Sequence, residues 1–222
     1  MHARRWTNRV AVSIAALAFA SSLSAPAASA SVRPGATTAG LTSTAAHTGG
    51  LTAAALAGVD YGTWQRDVSD VVATARPYIE QRTADASGQR LAMVLDIDNT
   101  SLETDFHYFW EYPTPAVRQV LDLTRYADSR GVDVFFVTAR PGIIAPLTSY
   151  NLRKVGYPVD GLYVRDLPDL FEEVSKYKTA KRAEIEAKGY TIIANVGNRP
   201  SDLVGGHAER TFKLPDYDGK LS

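Results

Sequence analysis

Apolar residues recur at helical spacing through Trp64, Val68, Val71, Val72, Ala75 and Ile79. This spacing predicts one amphipathic helix that packs against the domain following it, with Pro77 a kink or break near its end. The pattern then changes period. Leu91 to Leu95 (LAMVL) is a short unbroken apolar run, as in a strand buried on both faces. Pro115 to Ser129 reads as a helix through Val117, Val120, Leu121, Thr124 and Ala127, with Thr114 as its cap and Pro115 in its first position. Val132 to Val137 (VDVFFV) is a second buried strand, and Ile143 to Val155 a helix closed by Gly156. Leu162 to Val164 gives a short third strand. Lys178 to Lys188 is a helix ended by Gly189, Tyr190 to Val196 a fourth strand, and Thr211 to Leu214 a candidate fifth.

Strands and helices alternating in this way predict an α/β fold, a Rossmann-like parallel sheet with helices on both faces. Ligands of such sheets bind beyond the carboxyl ends of the strands, so the residues just after each strand matter most. The domain is expected over residues 59–222. Ahead of it, residues 31–58 are mostly Ala, Thr, Gly and Ser and read as a linker. Residues 1–30 read as a secretory signal peptide. Arg4, Arg5 and Arg9 start it, an apolar run from Val10 to Ala20 comes next, and Ala28-Ser29-Ala30 offers a cleavage site. That run is too short for a stable membrane anchor, so the expected location is secreted or extracytoplasmic.

Composition narrows the chemistry. Acids and bases number 24 each, and removal of residues 1–30 would take three arginines and no acid. A mildly acidic mature chain gives no electrostatic footprint for nucleic acid. The chain has no cysteine, which excludes disulfides, a thiol nucleophile and a thiolate zinc site. Nothing in the pattern specifies an oligomeric state.

Each strand end carries a polar cluster. The first runs into Asp96-Ile97-Asp98-Asn99-Thr100. An aspartate there can attack phosphorus and hold the phosphoryl group as an acyl phosphate. A second carboxyl two residues on can protonate the leaving oxygen and later deprotonate water. A turn rich in Asp and Asn reads equally well as plain turn chemistry. The second strand ends in Thr138-Ala139-Arg140, where a hydroxyl beside exposed backbone amides can hold a phosphate oxygen, or cap the helix that Pro141 opens. Lys178 would neutralise carboxylate and phosphate together, although lysines on helices are usually solvated and Lys176 and Lys181 are rivals. The fourth strand runs into Gly197-Asn198-Arg199-Pro200-Ser201-Asp202. Magnesium takes about six oxygens, one or two of them carboxylate, and Asp96, Asp202 and the backbone carbonyl of Asp98 would form such a set.

In this order DIDNT, FFVTAR, YKT and GNRPSD resemble the four motifs of haloacid-dehalogenase superfamily phosphatases, most closely subfamily IIIB, the secreted acid phosphatases. The resemblance runs from about Trp64 to the end of the sequence. It implies a haloacid-dehalogenase-like fold and a magnesium-dependent phosphatase acting on small phosphomonoesters. It also implies that Asp96 is the nucleophile, Asp98 the general acid/base, Thr138, Ala139 and Lys178 phosphate ligands, and Asp202 a metal ligand. Asp98 argues against dehalogenation, because the dehalogenases lack that second aspartate. The family usually has Asp where this chain has Asn198. An amide can still accept from a metal-bound water, so weaker magnesium binding is expected rather than lost activity.

Sheet elements take up most of the stretch from Thr138 to Lys178, so the cap is expected to be small or minimal. Asp105-Phe106-His107-Tyr108-Phe109-Trp110 is an aromatic cluster downstream of the nucleophile. It reads as core packing of a short cap helix, or as an apolar wall for a substrate group. The same residues would also serve a phosphotransferase, a lipid-phosphate phosphatase or a non-catalytic phosphate-binding or storage protein.

Overall fold

The computed structural model describes residues 52–222; the expected signal peptide and the expected linker up to residue 51 lie outside the described residues. Five strands form one parallel sheet: β1 (Arg90–Leu95), β2 (Val132–Pro141), β3 (Gly161–Arg165), β4 (Tyr190–Gly197) and β5 (Thr211–Lys213), in the order β3-β2-β1-β4-β5. The helices are α1 (Ala53–Leu56), α2 (Tyr61–Ala84), α3 (Arg118–Asp128), α4 (Ala145–Val155), α5 (Val174–Ala187) and α6 (Pro200–Leu203).

Alternation along the strands builds two cores. Leu91, Met93 and Leu95 of β1 and Val134 and Phe136 of β2 face α2 and α3, which contribute Trp64, Val68, Ile79, Val120 and Ala127. Ala92, Val94, Phe135 and Val137 point the other way and meet Tyr177 and Ile185 of α5. The expected α/β sheet with covered faces is what forms. The register of β1 against β4 shifts between Ala92 and Met93, so Ile193 and Ala194 both join the α2–α3 core. Strand order reverses at β1 and β4, and the crevice of the fold opens beyond their carboxyl ends.

Several boundaries differ from expectation. Part of the stretch read as linker is ordered: Ala53–Leu56 is a helix capped by Thr52, with Ala54 fully buried. Pro77 does not end α2, which continues to Ala84. Ala73, whose carbonyl would have taken the missing N–H, is exposed, as is Pro77, so the lost bond falls on the solvent side. Helix α3 starts at Arg118 rather than Pro115. The Pro115 carbonyl instead accepts from Glu103 N at 3.0 Å, and Val117 N donates to Ser101 O at 2.9 Å. The expected helical turn is thereby used to tie down the loop after β1. No cap helix forms from the aromatic cluster. Phe106 ends a 3-10 turn and stacks on Trp64 at 4.2 Å between ring centres, whereas Phe109 is 93% and Trp110 62% exposed. None of the described helices is long and apolar enough to cross a membrane.

Candidate active site

Six residues just beyond β1, from Ile97 to Leu102, are wound into a tight turn. The Ile97 carbonyl accepts from Thr100, Ser101 and Leu102 N at 3.2, 2.8 and 2.9 Å, and Asn99 sits at φ 53°. Asn tolerates that left-handed backbone better than most residues. Asp96 N remains bonded to Val196 O of β4 at 3.0 Å, and Ser101 Oγ donates to Asp96 O at 2.6 Å. Tyr157 OH reaches in from beyond α4 to Ser101 O at 2.8 Å. The Asp96 backbone is held on several sides.

Lys178 lies one turn inside α5 rather than at its start, and it is buried. Its Nζ donates to Asp96 Oδ1 at 2.5 Å and to Asp202 Oδ1 at 2.7 Å. Asp96 Oδ2 has no protein hydrogen bond among the described residues. Burial, opposed by the Lys178 ammonium and reinforced by Asp202 and Asp98, pushes the Asp96 carboxyl up to about 7. Burial works against the Lys178 ammonium, but the Asp96 and Asp202 carboxylates outweigh it and hold its pKa above the ordinary lysine value.

Asp202 follows β4 on the short helix α6. Its Oδ2 accepts from Arg199 N at 2.8 Å, and its carbonyl from Asn195 Nδ2 and Arg182 Nη1 at 2.9 and 2.8 Å. A side chain on Gly197 would collide with Asp202, with Oδ2 only 2.6 Å from the added carbon. Glycine at the end of β4 therefore lets the carboxylate fold back over the strand. Arg182, fully buried, also donates to the carbonyls of Gly206 and Val204, so it ties down the loop beyond α6.

Asp98 is gripped by Arg140, whose Nη2 lies 2.6 Å from Oδ1 and whose Nε lies 3.1 Å from Oδ2. Thr104 Oγ1 adds a bond at 2.8 Å. Burial pushes the Asp98 carboxyl up, but Arg140 and Thr104 outweigh it and hold it below the ordinary aspartate value. Arg140 stands in the sequence motif without an assigned role; its pairing with Asp98 spans the gap between β1 and β2.

Asp96, Asp98, Ala139, Lys178, Arg199, Ser201, Asp202 and Ser222 line a cleft of ≈ 290 Å³ together with Val174. Of the expected site residues, Asp96, Asp98, Ala139, Lys178 and Asp202 come together there. Thr138 is fully buried, its hydroxyl accepting from Arg140 N at 3.2 Å, and its neighbour Ala139 forms the wall. Asn198 is also fully buried. It stands behind Ser222, donating to that carbonyl at 2.8 Å and accepting from Thr100 Oγ1 at 3.3 Å.

Among the described residues no three His, Cys, Asp or Glu side chains could hold a metal ion by themselves. Two carboxylates, Asp96 and Asp202, already share one cation, Lys178. Hard oxygens of this kind suit a hard divalent cation and suit softer metals poorly.

The family described as HAD superfamily, subfamily IIIB (acid phosphatase) matches residues 109–220. The match includes Thr138, Lys178, Asn198 and Asp202 and begins beyond Asp96 and Asp98. The stem 28 kDa glycoprotein of Glycine max is 35% identical over 106 residues, which cover 46% of this chain and 42% of that protein. Acid phosphatase 1 of Solanum lycopersicum is 31% identical over 104 residues, covering 46% and 41%. The chain thus spans less than half the length of these curated relatives. The class C acid phosphatase of Bacillus anthracis shares the fold with a TM-score of 0.56 at 19% identity, over 71% of this chain and 80% of that one.

Proposed function

Because the chain belongs to the haloacid-dehalogenase superfamily, subfamily IIIB (acid phosphatase), we propose that it is a secreted, magnesium-dependent phosphomonoesterase with Asp96 as nucleophile. The observation that carries this reading is the buried Asp96–Lys178–Asp202 trio at the crevice where strand order reverses. Asp96 Oδ2 attacks phosphorus, the ester oxygen departs, and an aspartyl phosphate forms on Asp96. Asp98 gives the departing oxygen its proton, then takes one from the water that attacks the aspartyl phosphate and regenerates the carboxylate. Before it can donate, Asp98 must be released by Arg140, which holds both its oxygens in the free protein, and must take up a proton from solvent. Lys178 offsets the negative charge of Asp96 and the phosphoryl oxygens, and Ala139 lines the same cleft. Magnesium, held by Asp96, Asp202 and the Asp98 carbonyl, would add the positive charge that lets a phosphate dianion approach three aspartates. Secretion is supported by the sequence of residues 1–30.

A non-catalytic phosphate-binding protein is the second reading, and the Arg140 grip on Asp98 favours it. Hydrolysis of a chromogenic aryl phosphate separates the two. The expected result is turnover with magnesium that disappears with chelator. Asp96→Asn should abolish turnover, since an amide cannot form the acyl phosphate; near-normal activity in that variant would remove Asp96 as nucleophile.

A further inference from the structure

Leu221 is fully buried in the core beneath α2, and its carbonyl accepts from Arg199 Nη1 at 3.0 Å. The anchored leucine delivers Ser222 to the wall of the cleft. There Ser222 N donates to Asp105 Oδ2 at 2.7 Å, and its hydroxyl to Asp105 Oδ1 at 3.0 Å. The Ser222 carbonyl accepts from Asn198 Nδ2 at 2.8 Å and from Asn99 Nδ2 at 3.0 Å. Asp105 closes the ring: its Oδ2 accepts from Asn99 Nδ2 at 2.8 Å, and its N donates to Asn99 Oδ1 at 3.0 Å. One residue therefore joins the turn after β1 to the turn after β4, and it does so with a backbone N–H and C=O that an internal serine would also possess.

We propose that Asp105 and Ser222 are positioning residues that lock Asn99 and Asn198 beside the catalytic turns, and that position 198 carries an amide because it must donate to the Ser222 carbonyl. The inference deepens the phosphatase reading at its functional end, but the lock itself is a property of the free protein. A carboxylate at 198 has no proton for the Ser222 carbonyl. It would set two acceptors against each other at a part-buried contact, on the side of a fully buried residue 198, where unmade bonds are costly. Counting charges at the site favours an acid at 198; the hydrogen-bond arrangement opposes it. Asn198→Asp is therefore expected to release Ser222.

Amide hydrogen exchange by nuclear magnetic resonance on the metal-free full chain tests the lock. Ser222 N–H should exchange at least about tenfold faster in Asp105→Ala and in Asn198→Asp than in the unaltered protein, and within about twofold of it in Ser222→Ala, which keeps both backbone bonds. Asp105→Asn retains one acceptor and should recover part of the protection, which keeps the test informative if Asp105→Ala fails to fold. The Asn198 side-chain amide resonances should move in both Asp105 variants, and calorimetric titration with magnesium alone should weaken. Equal Ser222 protection in Asn198→Asp and the unaltered protein would overturn the proposal. So would an Asp105→Ala that lowers melting temperature while leaving the Asn198 resonances and the magnesium titration in place. If Asp96→Asn retains turnover while these exchange results hold, the assignment of the nucleophile fails and the lock stands.

Discussion

Lys178 donates to two carboxylates in a place with little access to water, and each depends on it. Replacing it by methionine keeps the volume but leaves Asp96 and Asp202 buried without their cation. Loss of one partner from a buried ionic cluster costs roughly 3–5 kcal/mol, so Lys178→Met should show a fall of that order in urea unfolding, besides losing hydrolysis. The trio was legible in the sequence because Asp96 and Asp202 follow apolar strands and Lys178 opens a helical pattern. Ser222, Asp105 and Asn99 carried no such signal, since their contacts join residues 117 and 123 positions apart through backbone atoms. Arg140 stood in plain view beside Thr138, but only the folded turn after β1 brings it to Asp98. Asn198 was readable as a strand-end residue, while its burial behind Ser222 depends on a tail whose sequence announces nothing.

At the scale of elements, periodicity located every strand, most plainly β1, β2 and β4, whose covered faces leave continuous apolar runs. Helix starts were harder to read. Pro115 has the right local chemistry for a first helical position, but its carbonyl and the Val117 amide are taken by the loop at Ser101 and Glu103, a tertiary demand that outweighs the local preference. The opposite occurs at Pro77, where tertiary packing through Trp64, Val68, Ala75 and Ile79 carries the helix past a residue that locally disfavours it. Substituting Pro77→Ala should therefore stabilise the protein, by about 1 kcal/mol and at most about 3. Urea denaturation reads the change; no gain would mean that Pro77 makes a contact of its own worth as much as the missing bond.

On the scale of the whole molecule, α2 is joined to the β4–β5 edge by a polar clasp as well as by the core. Arg82 reaches Glu209 at 2.7 and 2.8 Å, and Tyr78 OH donates to it at 3.1 Å. The hydrogen bond from Arg82, first among several influences, holds the Glu209 carboxyl below its ordinary value of 4.5. An acid depressed on folding contributes stability above its unfolded pKa and loses it as pH falls through the folded one. Glu209→Gln should accordingly cost less than about 1 kcal/mol at neutral pH, the pair being partly exposed, and nothing once pH has fallen below the depressed folded value. Unfolding curves at the two pH values check the sign.

The sheet order has a consequence for the timing of biosynthesis. Asp96 is made directly after the central strand, before the chain is half complete, yet the neighbour on one side of that strand is β4, and Lys178 and Asp202 come only with the last part of the chain. A growing polypeptide therefore carries its proposed nucleophile from position 96 to position 178 with neither the cation nor the second carboxylate to make it work. No truncated product ending before β4 could hydrolyse a cellular phosphate ester by this route. The same interval leaves one edge of the most apolar strand uncovered, with backbone groups ready to pair with another chain. Late completion silences the nascent chain and, for the same span, exposes it to aggregation.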